Sequence, residues 1–377
     1  MNMNRRKNFG SIPTRQRGAA TLLITMALFL AMVLVALFVN RNLLFEQRAS
    51  ANQYRATQAF EAAEAGLEWA VAQLDHMEPI GGDCLATTGV GAKVFRERFL
   101  RVTAADASLA GTTWTPRGAT PQPLRPACVH DGITWVCHCP SDSAADLPSP
   151  AGNGPFPAFS LQFIAGPKPA TVRIVSTGCS SWAPPCQPGA DDPADATART
   201  EVMVALLPAV RTAPAAALTV RDAAQLPDHL FASYFGLDKA RWKNQPVVTR
   251  LRCEGECSAT LSAAIGRDIA HPMIWIEGEL RLTGPLTIGS PDKPVVIVTE
   301  DGAQISGPVT LHGVFYGGSL RWDATAAGRG AVRGAVVVEA PFEGDGAPMF
   351  VRDADVLQAL TQRTGSFVRV NGSWRDF

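Results

Sequence analysis

The chain opens with a long apolar run that passes directly into a run with helical periodicity. Ala19 to Val39 carries no charge over about 21 residues, long enough to cross a bilayer as one helix. Asn42 to Leu74 contains no proline and a single glycine, and helix-forming residues predominate. Its apolar residues recur in steps of three and four, which predicts one buried stripe. The stripe consists of Phe60, Ala63, Leu67, Ala70 and Leu74.

The two runs together predict one continuous helix, apolar on all sides in its first half and amphipathic in its second. From Ala19 to Leu74 such a helix is roughly 80 Å long at 1.5 Å per residue. A cleaved secretory signal would be shorter and would end at a small-residue cleavage site, so a retained membrane helix is favoured. The leader is basic and free of acidic residues, which predicts a cytoplasmic N-terminus and an exported remainder. Its basic residues are Arg5, Arg6, Lys7, Arg15 and Arg17.

Beyond the helix, the pattern changes to short β-rich runs. Three alternating runs predict an antiparallel sheet that covers the helical stripe, and they lie at 159–164, 170–176 and 199–207. The stretch 141–157 predicts a loop, and 212–217 predicts a linker.

The last part of the chain has a repeating texture. Four β-rich runs, at 273–276, 295–298, 314–316 and 335–338, are spaced by about 20 residues. This spacing favours a small β-solenoid, with a compact sandwich as the alternative. The segment 356–360 predicts a short helix that caps an end of the solenoid. The sequence thus predicts an α+β fold in four segments: a leader 1–18, a helix 19–78, a disulfide-containing β-rich domain 79–212 and a β-solenoid-like domain 213–377.

Composition adds the redox environment of the exported part. The formal net charge is +0, and no basic cluster beyond the leader points to nucleic acid. The eight cysteines all follow the membrane helix, where export would permit disulfides. Cys179 with Cys186, and Cys253 with Cys257, bracket short segments and are predicted as local loop staples. The other four allow three pairings, and they are Cys84, Cys128, Cys137 and Cys139.

A zinc site is the alternative interpretation of the cysteines near residue 130. His130 and His138 lie among Cys128, Cys137 and Cys139, but their spacing is not that of a standard zinc finger. Disulfides are favoured, and adjacent CxC cysteines are expected to bond elsewhere. We therefore expect no metal and no cofactor.

The N-terminal fifth of the chain resembles a known family. RQRGAATLLITMALFLAMVLVALF and RATQAFEAAEAGLEWAVAQL are similar to the N-terminal region of the PilX family of minor pilin-like pilus assembly proteins. The Arg-Gly junction, the apolar helix and the F-x-A-A-E-A segment at 60–65 carry the resemblance, and the tail SFVRVNGSWRDF adds a weaker one. The resemblance implies cleavage between Gly18 and Ala19 by a prepilin peptidase, with Ala19 becoming a methylated N-terminus.

One position departs from the pilin pattern. Major pilins usually carry Glu at the fifth mature position, where it neutralises a neighbouring ammonium in an apolar bundle. The fifth residue after Gly18 is Leu23. Since an unpaired buried ammonium is costly, a subunit without this carboxylate fits the tip of a fibre better than its shaft. The alternative is that Leu23 is an ordinary lipid-facing residue of a membrane anchor.

Because solenoids also host polysaccharide lyases, catalytic chemistry has to be weighed. Nothing in the sequence places an acid beside a base, and no G-x-S-x-G, H-E-x-x-H or phosphate-binding glycine loop occurs. We expect no enzyme. The weighed candidates are Asp268, His271, Glu277, Glu279, Glu300, Asp301 and Arg321. Two acidic loop clusters are weak candidates for calcium, Asp191-Asp192 and Glu343-Gly344-Asp345.

Three functions remain open at this point. The first is a minor pilin-like subunit that assists initiation of a type IV pilus at or near its tip. Its partners would be other minor pilins, the major pilin, the prepilin peptidase and the inner membrane, with any surface or host ligand unknown. The second is a GspK-like pseudopilin of a type II secretion system. The third is a membrane-anchored, exported adhesive or binding protein, and none of the three binds nucleic acid.

Overall fold

A computed structural model describes most of the chain. The described residues are 17–103, 113–119, 122–141, 150, 154, 156–182, 186, 196–221, 229–266, 269–325, 327–346 and 348–377. The chain divides into two compact units, with the boundary after Ala56. The first contains the apolar part of the N-terminal helix, and the second contains the rest of that helix and both β-rich regions.

The elements follow one another in this order. The helices are α1 (Arg17–Asp75), α2 (Phe95–Phe99), α3 (Leu230–Phe235), α4 (Lys239–Lys243), α5 (Ser258–Ile265) and α6 (Ala354–Gln362). The first strands are β1 (Pro79–Ile80), β2 (Lys93–Val94), β3 (Leu100–Thr103), β4 (Thr113–Pro116), β5 (Gly118–Ala119), β6 (Gln122–Pro123), β7 (Ala127–His130), β8 (Trp135–His138), β9 (Ala158–Ala165), β10 (Thr171–Cys179), β11 (Thr197–Pro208) and β12 (Leu218–Val220). The later strands are β13 (Val248–Arg252), β14 (Met273–Glu277), β15 (Glu279–Thr283), β16 (Leu286–Ile288), β17 (Val295–Thr299), β18 (Gly302–Ser306), β19 (Val309–Gly317), β20 (Leu320–Asp323), β21 (Ala331–Val338), β22 (Phe342–Glu343), β23 (Met349–Val351), β24 (Gly365–Arg369) and β25 (Arg375–Asp376).

The predicted long helix is confirmed as α1, but its buried face differs from the predicted stripe. Leu67, Ala70 and Leu74 are buried as expected. Phe60 is 36% exposed, so its predicted place on the buried stripe is wrong. Small side chains, including Ala59 and those of the F-x-A-A-E-A segment, take its place because α1 comes very close to the sheet there.

An antiparallel sheet covers this half of α1. Its strands lie in the order β24, β11, β10, β9, β7 and β8, and β25 also pairs with β11. Alternate residues of β9, such as Phe159, Leu161 and Phe163, point into a core shared with Leu67 and Leu74 of α1. The predicted strands at 159–164, 170–176 and 199–207 correspond to β9, β10 and β11.

The outermost strand of this sheet comes from the end of the chain. Val204 of β11 pairs with Arg369 of β24, and Glu201 pairs with Arg375 of β25. This tail belongs to the predicted solenoid-like segment 213–377, whereas the structure pairs it with a strand of segment 79–212. The pairing joins residues far apart in sequence, so no local pattern indicates it. The four proposed segments otherwise stay a prediction.

The predicted solenoid-like stack is confirmed. β13, β14, β17, β19, β21 and β12 form a parallel sheet in that spatial order, and β15, β18, β20 and β22 form a second one. Equivalent positions of successive coils lie in register, so that Ile274, Ile297, Phe315 and Val336 form a ladder inside the stack. Each coil therefore buries its apolar residues against the next.

The ends of this stack differ from the prediction. The predicted helix at 356–360 exists as α6, but its expected role as an end cap is wrong. Leu357 and Leu360 of α6 are buried against the outer side of the long parallel sheet, together with Val314 of β19. Instead α5 closes one end, because Leu261 and Ile265 join the core inside the stack. Both helices are short apolar patterns, and the sequence does not specify which face each one covers.

A buried cation joins three distant parts of the second unit. The Arg96 guanidinium donates Nε to the Leu74 carbonyl at 2.8 Å, Nη1 to the Gly365 carbonyl at 2.8 Å and Nη2 to Asp75 Oδ1 at 3.3 Å. The same Asp75 oxygen accepts the Phe367 N–H at 2.7 Å. Burial lowers the pKa of Arg96 to about 10, so the side chain stays charged at neutral pH. The end of α1, α2 and β24 are thereby fixed to one another.

Replacing this cation tests its role. We expect Arg96→Met to destabilise the second unit by about 3–5 kcal/mol, because a buried carboxylate loses its cation and two carbonyls lose their donor. The shift would be measured as the urea midpoint of the full chain in a non-ionic detergent. Arg281→Met is the matched control, since Arg281 pairs with Glu279 on an exposed surface, and its midpoint is expected to stay close to wild type.

A second variant separates the ion pair from the rest of the contact. Asp75→Asn keeps an oxygen for the Phe367 N–H, so adding it to Arg96→Met is expected to recover part of the lost stability. A double variant no more stable than Arg96→Met would show that the carbonyl contacts of Arg96, rather than its pairing with Asp75, set the stability.

Candidate functional site

The first half of α1 exposes every large apolar side chain that the structure describes there. Such residues form a nearly continuous series from Leu22 to Phe45. Leu23, for example, is 68% exposed. A surface of this kind is stable only in a lipid bilayer or against other apolar helices. α1 is long and apolar enough to cross a membrane, and it lies near the N-terminus.

Polar groups within the apolar half are satisfied by the helix itself. The Thr21 hydroxyl donates to the Gly18 carbonyl at 3.1 Å, and the Thr25 hydroxyl donates to the Leu22 carbonyl at 3.0 Å. In an apolar medium an unbonded hydroxyl would be costly. The hydroxyl donors of these two threonines therefore need no acceptor from lipid or from a partner helix.

The predicted processing junction lies at the start of α1. Gly18 is in the first turn and exposed, with no atom within 4 Å of the position that a Cβ would occupy. Ala19 follows it in the same helix. The basic leader up to Gln16 lies outside the described residues, and cleavage and methylation at this junction stay predictions.

The second half of α1 makes an unusually close contact with the sheet. Gly66 faces Ser176 and the Phe159 ring so closely that a Cβ would lie 2.8 Å from a ring carbon. Gly178 of β10 lies against the helix backbone, where its Cβ would be 2.9 Å from the Ala63 Cα and closer still to a carbonyl of the preceding turn. The small residues of FEAAEAG thus let the backbones of helix and sheet approach each other.

Two glutamates of α1, in and just after this segment, contact the C-terminal tail. The Trp374 ring donates Nε1 to Glu64 Oε1 at 2.9 Å, and Arg369 forms an ion pair with Glu68 at 2.6 Å. No local signal indicates these contacts, because their partners lie about 300 residues away along the chain.

The cysteines form four disulfides in the described chain. Cys179 is joined to Cys186, and Cys253 to Cys257, as the short spacings predict. The remaining two bonds settle the three pairings left open: Cys84–Cys139 and Cys128–Cys137. Cys128 and Cys137 are directly opposite each other on β7 and β8.

The zinc alternative would need the same cysteines as free thiols. All the thiols that it would require are in disulfides. Among the described residues no group of three or more His, Cys, Asp or Glu is arranged to hold a metal ion. Of the acidic loop candidates, Glu343 ends β22 and Asp345 lies just after it, whereas Asp191 and Asp192 lie outside the described residues.

Several side chains weighed for catalysis make structural contacts. Glu300 accepts the Trp275 ring N–H at 3.2 Å and pairs with Lys243 of α4 at 3.3 Å. Glu279 pairs with its strand neighbour Arg281, and Arg321 pairs in the same way with Asp323.

The other catalytic candidates lie around the turns of the solenoid-like stack. Burial lowers the pKa of His271, just before β14, so it is mainly neutral at pH 7. Glu277 ends β14, Asp301 lies between β17 and β18, and Asp268 lies outside the described residues. The absence of enzymatic activity stays a prediction.

Comparison with known proteins bears on α1. Residues 17–68 match the PilX N-terminal family. The chain carries a PilX N-terminal domain, consistent with a PilX-family pilin-like protein. No curated protein and no solved structure matches the chain. The PilX domain covers the apolar half of α1 and ends within the close contact around Gly66, so the match includes both the exposed and the seated parts of the helix.

The close contact between the PilX domain and the sheet predicts a graded response to added methyl groups. Gly178→Ala is expected to destabilise the second unit by about 1–3 kcal/mol, because the clashing atoms belong to the helix backbone and cannot move aside alone. Gly66→Ala should cost less, since its neighbours are side chains and alanine favours the helix. Urea unfolding of the full chain in detergent measures both.

Gly82→Ala is the matched control, because nothing lies within 4 Å of its Cβ position. Its midpoint should remain at the wild-type value. Equal midpoints for Gly178→Ala and Gly82→Ala would contradict the close approach of helix and sheet.

Proposed function

We propose that this protein is a minor pilin-like subunit that assists the initiation and assembly of a type IV pilus, at or near the tip. The observation that carries the proposal is the PilX domain on α1, with an exposed apolar half and a second half seated on the antiparallel sheet. Such a helix presents an apolar surface for assembly while the β-rich regions remain in water.

The physical step in assembly is an exchange of apolar surroundings. In the bilayer the side chains from Leu22 to Phe45 contact lipid, and in a fibre they would contact other pilin-like helices. Because both environments are apolar, the exchange itself has little driving force. Direction has to come from partner subunits and an assembly motor. The proposed partners are other minor pilins and the major pilin.

The fifth residue after the junction supports a position at the tip. Leu23 offers no carboxylate to the ammonium of a neighbouring mature N-terminus. Since an uncompensated ammonium among apolar helices is costly, repeated stacking on this subunit is disfavoured. A terminal subunit avoids that cost because it has a neighbour on one side only.

The proposed location follows from the same helix and from the disulfides. The basic leader favours a cytoplasmic N-terminus, so α1 would anchor the chain in the inner membrane and the β-rich regions would be periplasmic. Four disulfides suit an oxidising compartment. No catalytic step, cofactor or nucleic acid enters the proposal.

Processing at Gly18 tests the pilin-like class. We expect mass spectrometry to find a mature chain that begins with methylated Ala19 only when a prepilin peptidase is present. Gly18→Val should leave the leader attached, while Gly82→Ala, far from the junction, should be processed normally. An intact wild-type leader in the presence of the peptidase would overturn the proposal and leave an anchored exported binding protein.

Residue 23 tests the position in the fibre. Leu23→Glu supplies the missing carboxylate, so the variant is expected to be found along sheared pili several times more often than wild type. Leu23→Gln, which has a similar length and no charge, is the matched control and should behave like wild type. Counting labelled subunits per filament by immunogold microscopy measures the effect.

Equal labelling for Leu23→Glu and wild type along the shaft would contradict the role assigned to Leu23. Recovery of processed protein only with a type II secretion apparatus would instead support the pseudopilin alternative.

A further inference from the structure

A cleft separates the α1-associated region from the solenoid-like stack within the second unit. Its cavity volume is about 410 Å³, within the range of small-molecule sites. Residues of β2, α2 and β3 line one wall, and residues just before β17 and at the end of α6 line the other. Junctions between structural regions are common places for ligand sites.

The cleft is much more basic than the chain as a whole, whose net charge is +0. Its cations belong to both walls: Lys93, Arg96, Arg101 and Arg117 on the first, and Lys293 and Arg363 on the second. Glu97 and Asp292 are the acidic residues that line it. Cations therefore outnumber anions around this opening.

Two of these cations are already engaged elsewhere, which leaves four to consider. Arg96 is paired with Asp75, and Lys293 has contacts of its own. In the part of the chain that the structure describes, the other four make no ion pair. These four residues, Lys93, Arg101, Arg117 and Arg363, are called the cleft cations below.

Two of the cleft cations are hydrogen-bonded to uncharged groups within the described residues. Arg117 donates Nε to the Leu100 carbonyl at 2.9 Å, and Arg101 donates Nε to Thr115 Oγ1 at 3.2 Å. Both acceptors are uncharged and both bonds use Nε, so neither bond neutralises the guanidinium or occupies its terminal nitrogens. An arginine held in this way is suited to bind carboxylate or phosphate through two parallel hydrogen bonds.

The geometry points to a binding site for a small ligand with two or more anionic groups, carboxylate or phosphate, that bridges the two walls of this cleft. Like charges on facing walls repel each other, although Lys93, Arg101 and Arg363 are exposed and salt screens their repulsion. A bridging polyanion would remove that repulsion and would contact Arg117 on one side and Arg363 on the other. This inference does not depend on whether the chain enters a pilus.

Calorimetric titration of the full chain in a non-ionic detergent tests the site. The probes are citrate, inorganic pyrophosphate and trigalacturonate, with acetate as the single-charge comparison. We expect saturable binding of at least one polyanion, at least tenfold tighter than acetate, that weakens as sodium chloride is raised. Preference for citrate or trigalacturonate would identify a carboxylate ligand, and preference for pyrophosphate would identify a phosphate ligand.

Variants on the two walls locate the binding. Arg117→Ala combined with Arg363→Ala is expected to weaken the best probe at least tenfold, whereas Arg281→Ala, the same charge change on the outer surface of β15, should leave it unchanged. Arg117→Lys with Arg363→Lys keeps the charge and the fold, and should give an intermediate loss because the paired hydrogen bonds are lost.

Three results would overturn the inference. They are no saturable binding of any polyanion, equal affinity in the wall variants and wild type, and an equal loss in Arg281→Ala. Unfolding of the alanine double variant, seen by circular dichroism, would leave the lysine double variant to decide. Unchanged affinity in that variant together with no salt dependence would also contradict an electrostatic site.

Discussion

A guanidinium buried beneath the end of α1 is the point on which the arrangement of the second unit depends. Arg96 bonds the Leu74 carbonyl and the Asp75 carboxylate in the last turn of α1, and the Gly365 carbonyl at the start of β24. The Phe367 ring lies 5.2 Å from its guanidinium carbon. A buried charge of this kind is tolerated only when its partners are all in place. The Arg96 contacts therefore stabilise the end of the helix and β24 against each other.

Small residues on α1 and on the sheet also hold the helix against the sheet. At Gly178 the backbone of the sheet lies against the backbone of α1, and at Gly66 the helix backbone lies against the side chains of Ser176 and Phe159, so the packing leaves little room for α1 to slide or rotate. Glu64 and Glu68 of the same helix contact the C-terminal tail. The segment FEAAEAG thus packs on the sheet with its small residues and contacts the C-terminal tail through Glu64.

Those parts of the fold that depend on neighbouring residues could be predicted from the sequence. The extent of α1 follows from uninterrupted helix-forming residues, and the stack follows from runs spaced by about 20 residues. The exposure of Phe60, the position of α6 and the pairing of β24 with β11 could not. Each depends on a surface contributed by a distant segment. The Cys84–Cys139 bond is of the same kind, since its cysteines are 55 residues apart. The cleft cations also come from separate segments of the chain, so no local sequence motif predicts the site.

The pairing of β24 with β11 has a consequence for how this architecture can vary between genes. The chain leaves the antiparallel sheet at the end of β11 and re-enters it on the adjacent strand. Residues 209–364 therefore form an insertion in the antiparallel sheet, and the two ends of the insertion lie on neighbouring strands. Insertions with adjacent ends are well tolerated in protein folds. Recombination could therefore exchange the coils for a different module, or add coils. The antiparallel sheet and α1 would keep the hydrogen bonds that join them.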